Sequence, residues 1–289
     1  MSPLVSVLMT AYNREKYIAE AIESVLAQTF KDFELIIVDD GSKDRTVEIA
    51  RSYTADPRVQ VHVNQKNLGD YPNRNRAASL ARGRYLKYLD ADDTMYLHCL
   101  EIMTRQMDQF PAAEIGFQGK EKHNWPRPFP FVLSPADTYR EHFLGRGVLG
   151  EGPTGAIIGA GVFREFGGFR PERYTGDTEF WLRVTRKKPL LMCYPGLVWW
   201  RQHPEQEMMS ELADGPVIAR RYRFDVDALA AEDCPLAADQ RRAALRRVKR
   251  NYFRCIASAL RHGRLSLALS LAFQARLAPV AAATLLLVA

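Results

Sequence analysis

Four short apolar segments, each followed directly by polar residues, constrain the fold of this 289-residue chain more than any other feature. Their β-branched and aromatic content predicts buried strands. The predicted strands are Leu4–Met9, Phe33–Val38, Val59–Val63 and Tyr85–Leu89. Apolar residues at helical spacing lie between them, as in Ile18, Ala21, Ile22 and Val25. Such alternation predicts an α/β fold with a Rossmann-like, mainly parallel central sheet and helices on both faces.

The polar loops after these strands predict where a ligand binds. They are Thr10–Asn13, Asp39–Ser42, Asn67–Asn75 and Asp90–Asp93. Because the carboxyl ends of parallel strands lie at one edge of a sheet, the four loops are expected to gather there. That edge is where open α/β folds bind their ligands.

The loop after the fourth strand carries three carboxylates within four residues, Asp90, Asp92 and Asp93. Carboxylates this close repel one another and raise one another's pKa unless a cation neutralises them. Mg²⁺ and Mn²⁺ take oxygen ligands of this kind together with substrate phosphates. A solvated acidic loop that caps the next helix is the alternative, and the loop by itself does not decide between them.

The pattern is weaker after residue 95. Trp125–Pro135 contains four prolines and is predicted to be a loop, whereas Ala156–Phe163 is predicted to be a strand. From about residue 214 the chain becomes helical and rich in Ala and Arg, which predicts a domain boundary there. The four cysteines show no metal-ligand spacing, so they are predicted to be reduced and structural.

The charge is unevenly distributed along the chain. Ten basic residues and one acidic residue follow residue 235, which gives this segment a net charge of +9. The whole chain carries +6, so the first 235 residues carry −3. An acidic body argues against a nucleic-acid-binding core. The basic helix at Arg241–Arg250 leaves three interpretations open: a solvated face, a peripheral contact with an anionic membrane, or a docking site for a phosphate-linked lipid. Packing of the C-terminal helices on the body or on a second subunit, as a homo-oligomer, also stays open.

No secretory signal is found at the N-terminus, which predicts a cytoplasmic location, at the membrane face if the basic segment binds lipid. The longest uncharged C-terminal stretch, Leu277–Ala289, has thirteen residues. A spanning helix needs roughly 20.

Five separated motifs of the first half together resemble the family 2 glycosyltransferases, which have the GT-A fold. In order they are VSVLMTAYNRE, SVLAQTF, IIVDDGSKD, NLG followed by NRN, and GRYLKYLDADD. The second half adds GGF, GDTEFWLR and WWRQH. The resemblance implies a catalytic domain over residues 1–213, with the nucleotide-donor half at 1–95 and the acceptor half at 96–213. A basic, partly apolar helical region follows at 214–289.

The resemblance also implies roles for residues of the donor half. Thr10, Tyr12 and Asp40 would hold the nucleoside of a nucleotide sugar, most simply a UDP-sugar. Asp39 is the neighbour of Asp40 and could exchange roles with it. Arg74 would face the diphosphate or the ribose, since a guanidinium suits phosphate geometry; a surface arginine is the alternative.

Asp90 and Asp92 match the DxD motif of the family. The resemblance implies that Asp90 contacts the ribose or the sugar, that Asp92 binds Mn²⁺ or Mg²⁺, and that His203 lies near the metal. Asp93 would cap the following helix. A structural role is the alternative for His203.

Asp177 matches the general base of the family, with Gly176 in place of the commoner Glu. Capping of the helix after it is the alternative role for Asp177. Glu179 and Trp181 would contact the acceptor, a saccharide or lipid-linked saccharide, although a tryptophan in this motif also suits a core position. The implied reaction is a single displacement that inverts the anomeric centre.

Two other functions stay open on the same scaffold. One is a noncatalytic protein that binds nucleotides or saccharides, and the other is a nucleotidyltransferase, which would release pyrophosphate. The QxxRW motif of processive members of the family is absent from the sequence. A single addition is therefore expected rather than polymerisation.

Overall fold

The computed structural model describes residues 2–120, 124–204, 206 and 215–274. The chain forms two compact units, and each is described by itself. The first unit comprises Met1–Thr138 and Leu149–Gln202, and the second comprises Tyr139–Val148 and His203–Ala289. The domain limits expected from the sequence, residues 1–213 and 214–289, stay a prediction.

An eight-stranded sheet is the centre of the first unit. Its strands are β1 (Val5–Ala11), β2 (Phe33–Asp39), β3 (Val59–Val63), β4 (Tyr85–Asp90), β6 (Ile115–Gln118), β7 (Phe131–Leu133), β8 (Ala156–Gly159) and β9 (Leu190–Cys193). They are ordered β3-β2-β1-β4-β8-β6-β9-β7. Two further strands, β5 (Thr94–Met95) and β10 (Val198–Trp199), pair antiparallel.

The strand directions confirm a mainly parallel sheet. β1 pairs in parallel with both β2 and β4, β2 with β3, and β6 with β9. β8 is antiparallel to β4 and β6, and β7 is antiparallel to β9. The parallel half therefore holds all four of the predicted strand-to-loop junctions.

Helices cover both faces of this sheet, as the strand–helix alternation predicts. Those of the first unit are α1 (Ile18–Leu26), α2 (Thr46–Ser52), α3 (Asp70–Leu80), α4 (Cys99–Gln109), α6 (Ala160–Glu165) and α7 (Gly176–Thr185), and α5 (Pro135–Phe143) crosses into the second unit. Val5, Val7 and Met9 of β1 share a core with α1 and α4. On the opposite face, Tyr88 Oη donates to the carbonyl of Arg74 in α3 at 3.1 Å.

Two predictions in the second half of this unit are wrong in part. Trp125–Pro135, predicted to be a loop, contains β7. This strand is tolerated because β7 is an edge strand and the prolines lie just outside it. Ala156–Phe163, predicted to be one strand, turns into α6 at Ala160. Short apolar runs that are buried on all sides do not distinguish strand from helix.

Glu34 of β2 is a buried carboxylate that ties β1, β2 and the start of β4 together. It accepts hydrogen bonds from Ser6 Oγ at 2.7 Å, from the Arg82 backbone N–H at 2.9 Å and from the Arg82 guanidinium at 2.7 Å. Burial by itself raises the pKa of Glu34. The hydrogen bonds from Ser6 and Arg82 outweigh burial, so the pKa is lowered overall.

We expect Glu34→Gln to lower the free energy of unfolding by about 2 kcal/mol at neutral pH, because an amide loses the charged hydrogen bonds. The pKa of Glu34 is lower in the folded state than in the unfolded state, where it is about 4.3. The stabilisation is therefore fully present above the unfolded-state pKa, and it is lost as pH falls through the folded-state pKa. Urea titrations of both proteins from neutral pH down to acid pH should therefore converge. An equal effect of Glu48→Gln, which removes an exposed carboxylate, would contradict this expectation.

The described part of the second unit contains three mutually packed helices, which confirm the predicted C-terminal helices. They are α8 (Gly215–Ala230), α9 (Ala238–Arg261) and α10 (Leu265–Gln274). Tyr222 of α8 and Tyr252 of α9 stack with their ring centroids 4.2 Å apart. Within the described ranges, no helix has both the length and the apolar character needed to cross a membrane. All four cysteines of the chain are free thiols, as predicted.

Candidate active site

The strand register brings the predicted donor residues to one edge of the sheet. Thr10 of β1 lies level with Val38 of β2 and with Asp90 of β4. Asp39 is the next residue of β2, and the loops that follow β1, β2 and β4 start here. Three loops that are 28 or more residues apart in sequence thus meet at the carboxyl edge, as the fold predicts.

Asp39 and Asp40 are both buried and hold loops in place. Asp39 accepts hydrogen bonds from the backbone N–H groups of Gly41 and Ser42 and from the Ser42 hydroxyl. Asp40 accepts from Asn64 Nδ2 at 2.6 Å and from the backbone N–H groups of Leu68 and Gly69 at 2.8 and 2.9 Å. Asp40 therefore fixes the loop that leads into α3.

Asp92 pairs with an arginine that the sequence does not single out. Arg14 Nε lies 2.9 Å from Asp92 Oδ2. The same guanidinium donates to the backbone carbonyls of Tyr12 and Asn13, both at 3.1 Å. The Tyr12 ring itself is exposed at this edge. The loop after β1 is thereby joined to the acidic loop after β4.

Arg74 is buried between two carboxylates. Its Nε donates to Asp70 Oδ1 at 2.7 Å, and its Nη2 lies 2.6 Å from Asp90 Oδ1. Burial lowers the pKa of Arg74, but the charges of Asp70 and Asp90 outweigh it and keep the guanidinium charged. This arrangement places a fixed cation beside Asp90, the first carboxylate of the acidic loop.

Arg201 braces the acidic loop from the other side. Its backbone N–H donates to Asp93 Oδ1 at 3.0 Å and its Nε donates to the Asp92 carbonyl at 2.9 Å, while the guanidinium also binds Glu20 of α1. Burial, followed by the charges of Asp90 and Asp92, raises the pKa of Asp93 to about 8. The acidic loop is therefore crowded even with its arginine partners present.

This crowding fits a divalent cation. Mg²⁺ and Mn²⁺ bind carboxylate oxygens, and their charge would relieve the repulsion that helps to raise the pKa of Asp93. Within the described ranges, no three His, Cys, Asp or Glu side chains converge on one point in the way a closed metal site requires. His203, the other predicted ligand, belongs to the second unit, where its backbone N–H donates to Gln206 Oε1 at 3.4 Å. A metal at Asp92 stays a prediction.

Asp177 lies at the start of α7, is partly exposed and interacts with Tyr71 of α3. Its Oδ1 accepts the backbone N–H of Thr178 at 2.6 Å. Burial, followed by the charges of Asp177 and Asp70, raises the pKa of Tyr71 well above its ordinary value. Because Asp70 also binds Arg74, the predicted base and the predicted diphosphate ligand belong to one electrostatic cluster.

Gly176 leaves no room for the glutamate that is common at this position in the family. A Cβ there would lie 2.7 Å from the Arg170 carbonyl and 2.8 Å from the Tyr71 ring. We expect Gly176→Glu to lower the free energy of unfolding by about 1–3 kcal/mol, because overpacking forces neighbours to move. Thermal melts should show this loss, and Gly161→Glu, at an open position, is the matched control. A variant as stable as the parent would contradict it.

The two predicted acceptor residues are both buried. Arg183 binds the Glu179 carboxylate with two nitrogens, at 2.9 and 2.8 Å. The Trp181 ring is fully buried against Phe117 and Phe180, and its Nε1 donates to the Glu151 carbonyl at 2.7 Å. Stacking of an acceptor sugar on Trp181 would require the ring to leave the core.

Three residues at this edge were missed by sequence reasoning. Arg14 lies inside the first motif and Tyr71 lies between NLG and NRN, but nothing in those motifs indicates that they face the acidic loop or Asp177. Arg201 directly follows Trp199-Trp200 in the WWRQH motif. A signal for Arg14 and Arg201 was available in the sequence. Both arginines lie in motifs of the family, and the three crowded carboxylates after β4 need positive partners.

The parallel strands, the loops that gather at their carboxyl edge and the acidic loop after β4 define an open α/β fold with a candidate ligand site at that edge. The sequence profile of Glycosyl transferase family 2 matches residues 6–167, more than half of the chain. The protein belongs to this family, and its fold is GT-A-like.

One curated relative is the "Uncharacterized glycosyltransferase EpsJ" of Bacillus subtilis (strain 168). It is 40% identical over 117 residues, which are 40% of this chain and 34% of that protein. Another, from Methanocaldococcus jannaschii, is 44% identical over 37% of this chain and 38% of that protein. These matches thus span little more than a third of the relatives' length.

Solved structures share the fold at low identity. TarS of S. aureus (residues 1–349), crystallised in complex with UDP, has a TM-score of 0.65 and 19% identity, over 88% of this chain and 72% of that chain.

Proposed function

We propose that this protein transfers a sugar from a nucleoside diphosphate sugar, in the first instance a UDP-sugar, to a hydroxyl group of an acceptor. The observation that carries the proposal is that the loops bearing Asp40 and Asp92 start at one sheet edge of a family 2 glycosyltransferase fold, with Arg74 bound to Asp90 there. Asp177 joins this cluster through Tyr71, which also feels the charges of Asp70 and Arg74. TarS, which has a similar fold, was crystallised with UDP, and this supports the choice of donor.

On this proposal the donor lies along the carboxyl edge. Thr10, Tyr12 and Asp40 contact the nucleoside, with Asp39 shaping the same loop, and the exposed Tyr12 ring offers a surface on which a base can stack. Arg74 faces the diphosphate or the ribose. Its guanidinium is already held by Asp70 and Asp90, so it needs no reordering when the donor binds.

Asp92 would hold the divalent cation, Mn²⁺ or Mg²⁺. When bound, such a cation neutralises charge that develops on the departing diphosphate. Asp92 must exchange its contact with Arg14 for this role, which frees the Arg14 guanidinium for the donor phosphates.

Asp177 acts as the general base. The acceptor oxygen attacks the anomeric carbon, its proton passes to the Asp177 carboxylate, and the bond from the anomeric carbon to the diphosphate oxygen breaks with its electron pair on the diphosphate. One such displacement inverts the anomeric centre. Glu179 holds Arg183, which donates to the Gly168 carbonyl at 2.9 Å and so ties α7 to the preceding loop. On this proposal Glu179 does not touch the acceptor, because Arg183 occupies its carboxylate.

The acceptor is a saccharide or a lipid-linked saccharide that receives one sugar per binding event, at the cytoplasmic face of the membrane. Trp199 and Trp200 are exposed and present flat apolar rings suited to sugar faces. They replace the buried Trp181 as the proposed stacking platform.

Calorimetric titration with UDP, with and without Mn²⁺, tests the donor site. We expect binding that needs Mn²⁺ and weakens at least tenfold in Asp92→Ala, because a charged metal ligand is lost. Asp108→Ala, which removes a carboxylate near the start of β4, is the matched control and should bind UDP like the parent. Failure of UDP and GDP to bind under any metal condition would reject the donor site. Release of pyrophosphate from a mixture of UTP and a sugar 1-phosphate would instead identify a nucleotidyltransferase.

A further inference from the structure

Helix α10 exposes a stripe of large apolar side chains. Leu265, Leu269 and Phe273 are 58%, 56% and 85% exposed. Residues four apart lie on one side of a helix, so these three form a continuous stripe. Exposed apolar groups that lie together, rather than singly, mark interaction surfaces.

The packing of α10 shows which way the stripe faces. Leu267 packs towards α8, where its Cδ1 lies only 2.5 Å from the position that a Cβ on Gly215 would take. At 100° per residue, Leu269 lies about 160° round the helix from Leu267. The stripe therefore faces away from α8.

Helix α9 directs a row of arginines the same way. Tyr252 faces α8 through its stack on Tyr222. Arg250 and Arg254 are two residues before and after Tyr252, so each lies about 160° round the helix from it. Arg246 precedes Arg250 by four residues, and all three arginines are exposed.

Helices α9 and α10 lie side by side, because Tyr252 Oη donates to the Leu271 carbonyl at 2.7 Å. The arginines of α9 and the stripe of α10 both face away from α8. They therefore share one side of the second unit, which we call the basic-apolar surface.

We propose that the basic-apolar surface docks this protein on an anionic lipid bilayer. Apolar side chains that enter the headgroup boundary next to arginines that meet anionic headgroups are the features of an interfacial helix. Within Ala238–Arg261 the only acidic residue is Asp239, at the first turn. The sequence after Gln274 continues with fifteen residues of which Arg276 alone is charged.

Charge and polarity favour this occupant over two others. A nucleic acid would pair with the arginines but would leave Phe273 in water. A second copy of this chain would bring an equally basic surface against the first, and like charges repel. The docking surface goes beyond the proposed sugar transfer and does not depend on it.

Vesicle flotation of the full chain tests the proposal. We expect binding to vesicles of phosphatidylcholine with phosphatidylglycerol, little binding to phosphatidylcholine alone, and weaker binding as salt is raised. Arg246→Glu/Arg250→Glu/Arg254→Glu should weaken binding by roughly a hundredfold or more, since each basic residue near an anionic surface contributes about 1 kcal/mol. Leu269→Asp/Phe273→Asp should also lose binding, although its charge change is smaller.

The matched control is Arg51→Glu/Arg76→Glu/Arg164→Glu, which makes the same charge change at exposed positions of the first unit. It should retain most of the vesicle binding. Circular dichroism verifies that each variant is folded, and UDP titration of each variant separates this proposal from the donor site.

Three outcomes would overturn the proposal. The first is equal binding to neutral and anionic vesicles, and the second is binding by the two surface variants that equals that of the parent. The third is a protein that binds no vesicles but forms a dimer in light scattering, which Leu269→Asp dissociates.

Discussion

Asp177→Asn is expected to lower kcat for sugar transfer by about 10²–10⁴-fold while leaving UDP affinity nearly unchanged. The asparagine keeps the shape of the side chain and its hydrogen bond from the Thr178 N–H, but it cannot take up the acceptor proton. Turnover of a UDP-sugar, measured as UDP release, gives kcat, and calorimetry gives the UDP affinity.

Tyr71 is the nearby group that could be mistaken for the base. Burial and the charges of Asp177 and Asp70 raise the pKa of its phenol well above the ordinary value, so it stays protonated at neutral pH. We therefore expect Tyr71→Phe to retain far more activity than Asp177→Asn. Glu165→Gln, an exposed carboxylate on α6, is the control and should leave kcat unchanged. Parent-like turnover by Asp177→Asn would remove Asp177 from the proposed mechanism.

The first half of the fold could be predicted because its pattern is strong at every level. Apolar runs, helical spacing and polar loops all agree there, and β3 begins and ends at the predicted residues, Val59 and Val63. The second half has short elements with mixed signals. β7 follows three prolines and has only three residues, so its identity depends on pairing with β9, which local sequence does not encode.

The candidate site could be predicted as a set of carboxylates but not as a set of ion pairs. Asp90 and Asp92 are evident from their motif, whereas their partners Arg74 and Arg14 are 16 and 78 residues away. Lys87 is a further case, because it lies in an apolar strand and yet is fully buried. Its ammonium group donates to the Thr154 and Tyr88 carbonyls, and burial lowers its pKa. Such pairings follow from tertiary packing, which no local spacing specifies.

Arg74→Met is expected to lower the free energy of unfolding by about 1–3 kcal/mol, because it removes a buried cation and leaves two partly exposed carboxylates without their charged hydrogen bonds. Methionine fills the volume of the arginine stem, so the loss measures the missing charge rather than a cavity. The remaining carboxylates are Asp70 and Asp90, each of which is 2.6–2.7 Å from the guanidinium in the parent. Urea denaturation followed by tryptophan fluorescence gives the free energy of both proteins.

Arg76→Met on the same helix is the matched control, since Arg76 is exposed and its replacement should change stability by less than about 0.5 kcal/mol. Arg74→Met/Asp90→Asn should recover part of the loss, because removing both charges of the pair leaves one fewer carboxylate without its cation. If Arg74→Met lowers the free energy of unfolding by less than about 1 kcal/mol, water or protonation must compensate the Asp90 carboxylate for the missing guanidinium. The carboxylate would then be accessible enough to bind the donor without Arg74, and the proposed pre-organisation of the diphosphate site would be wrong.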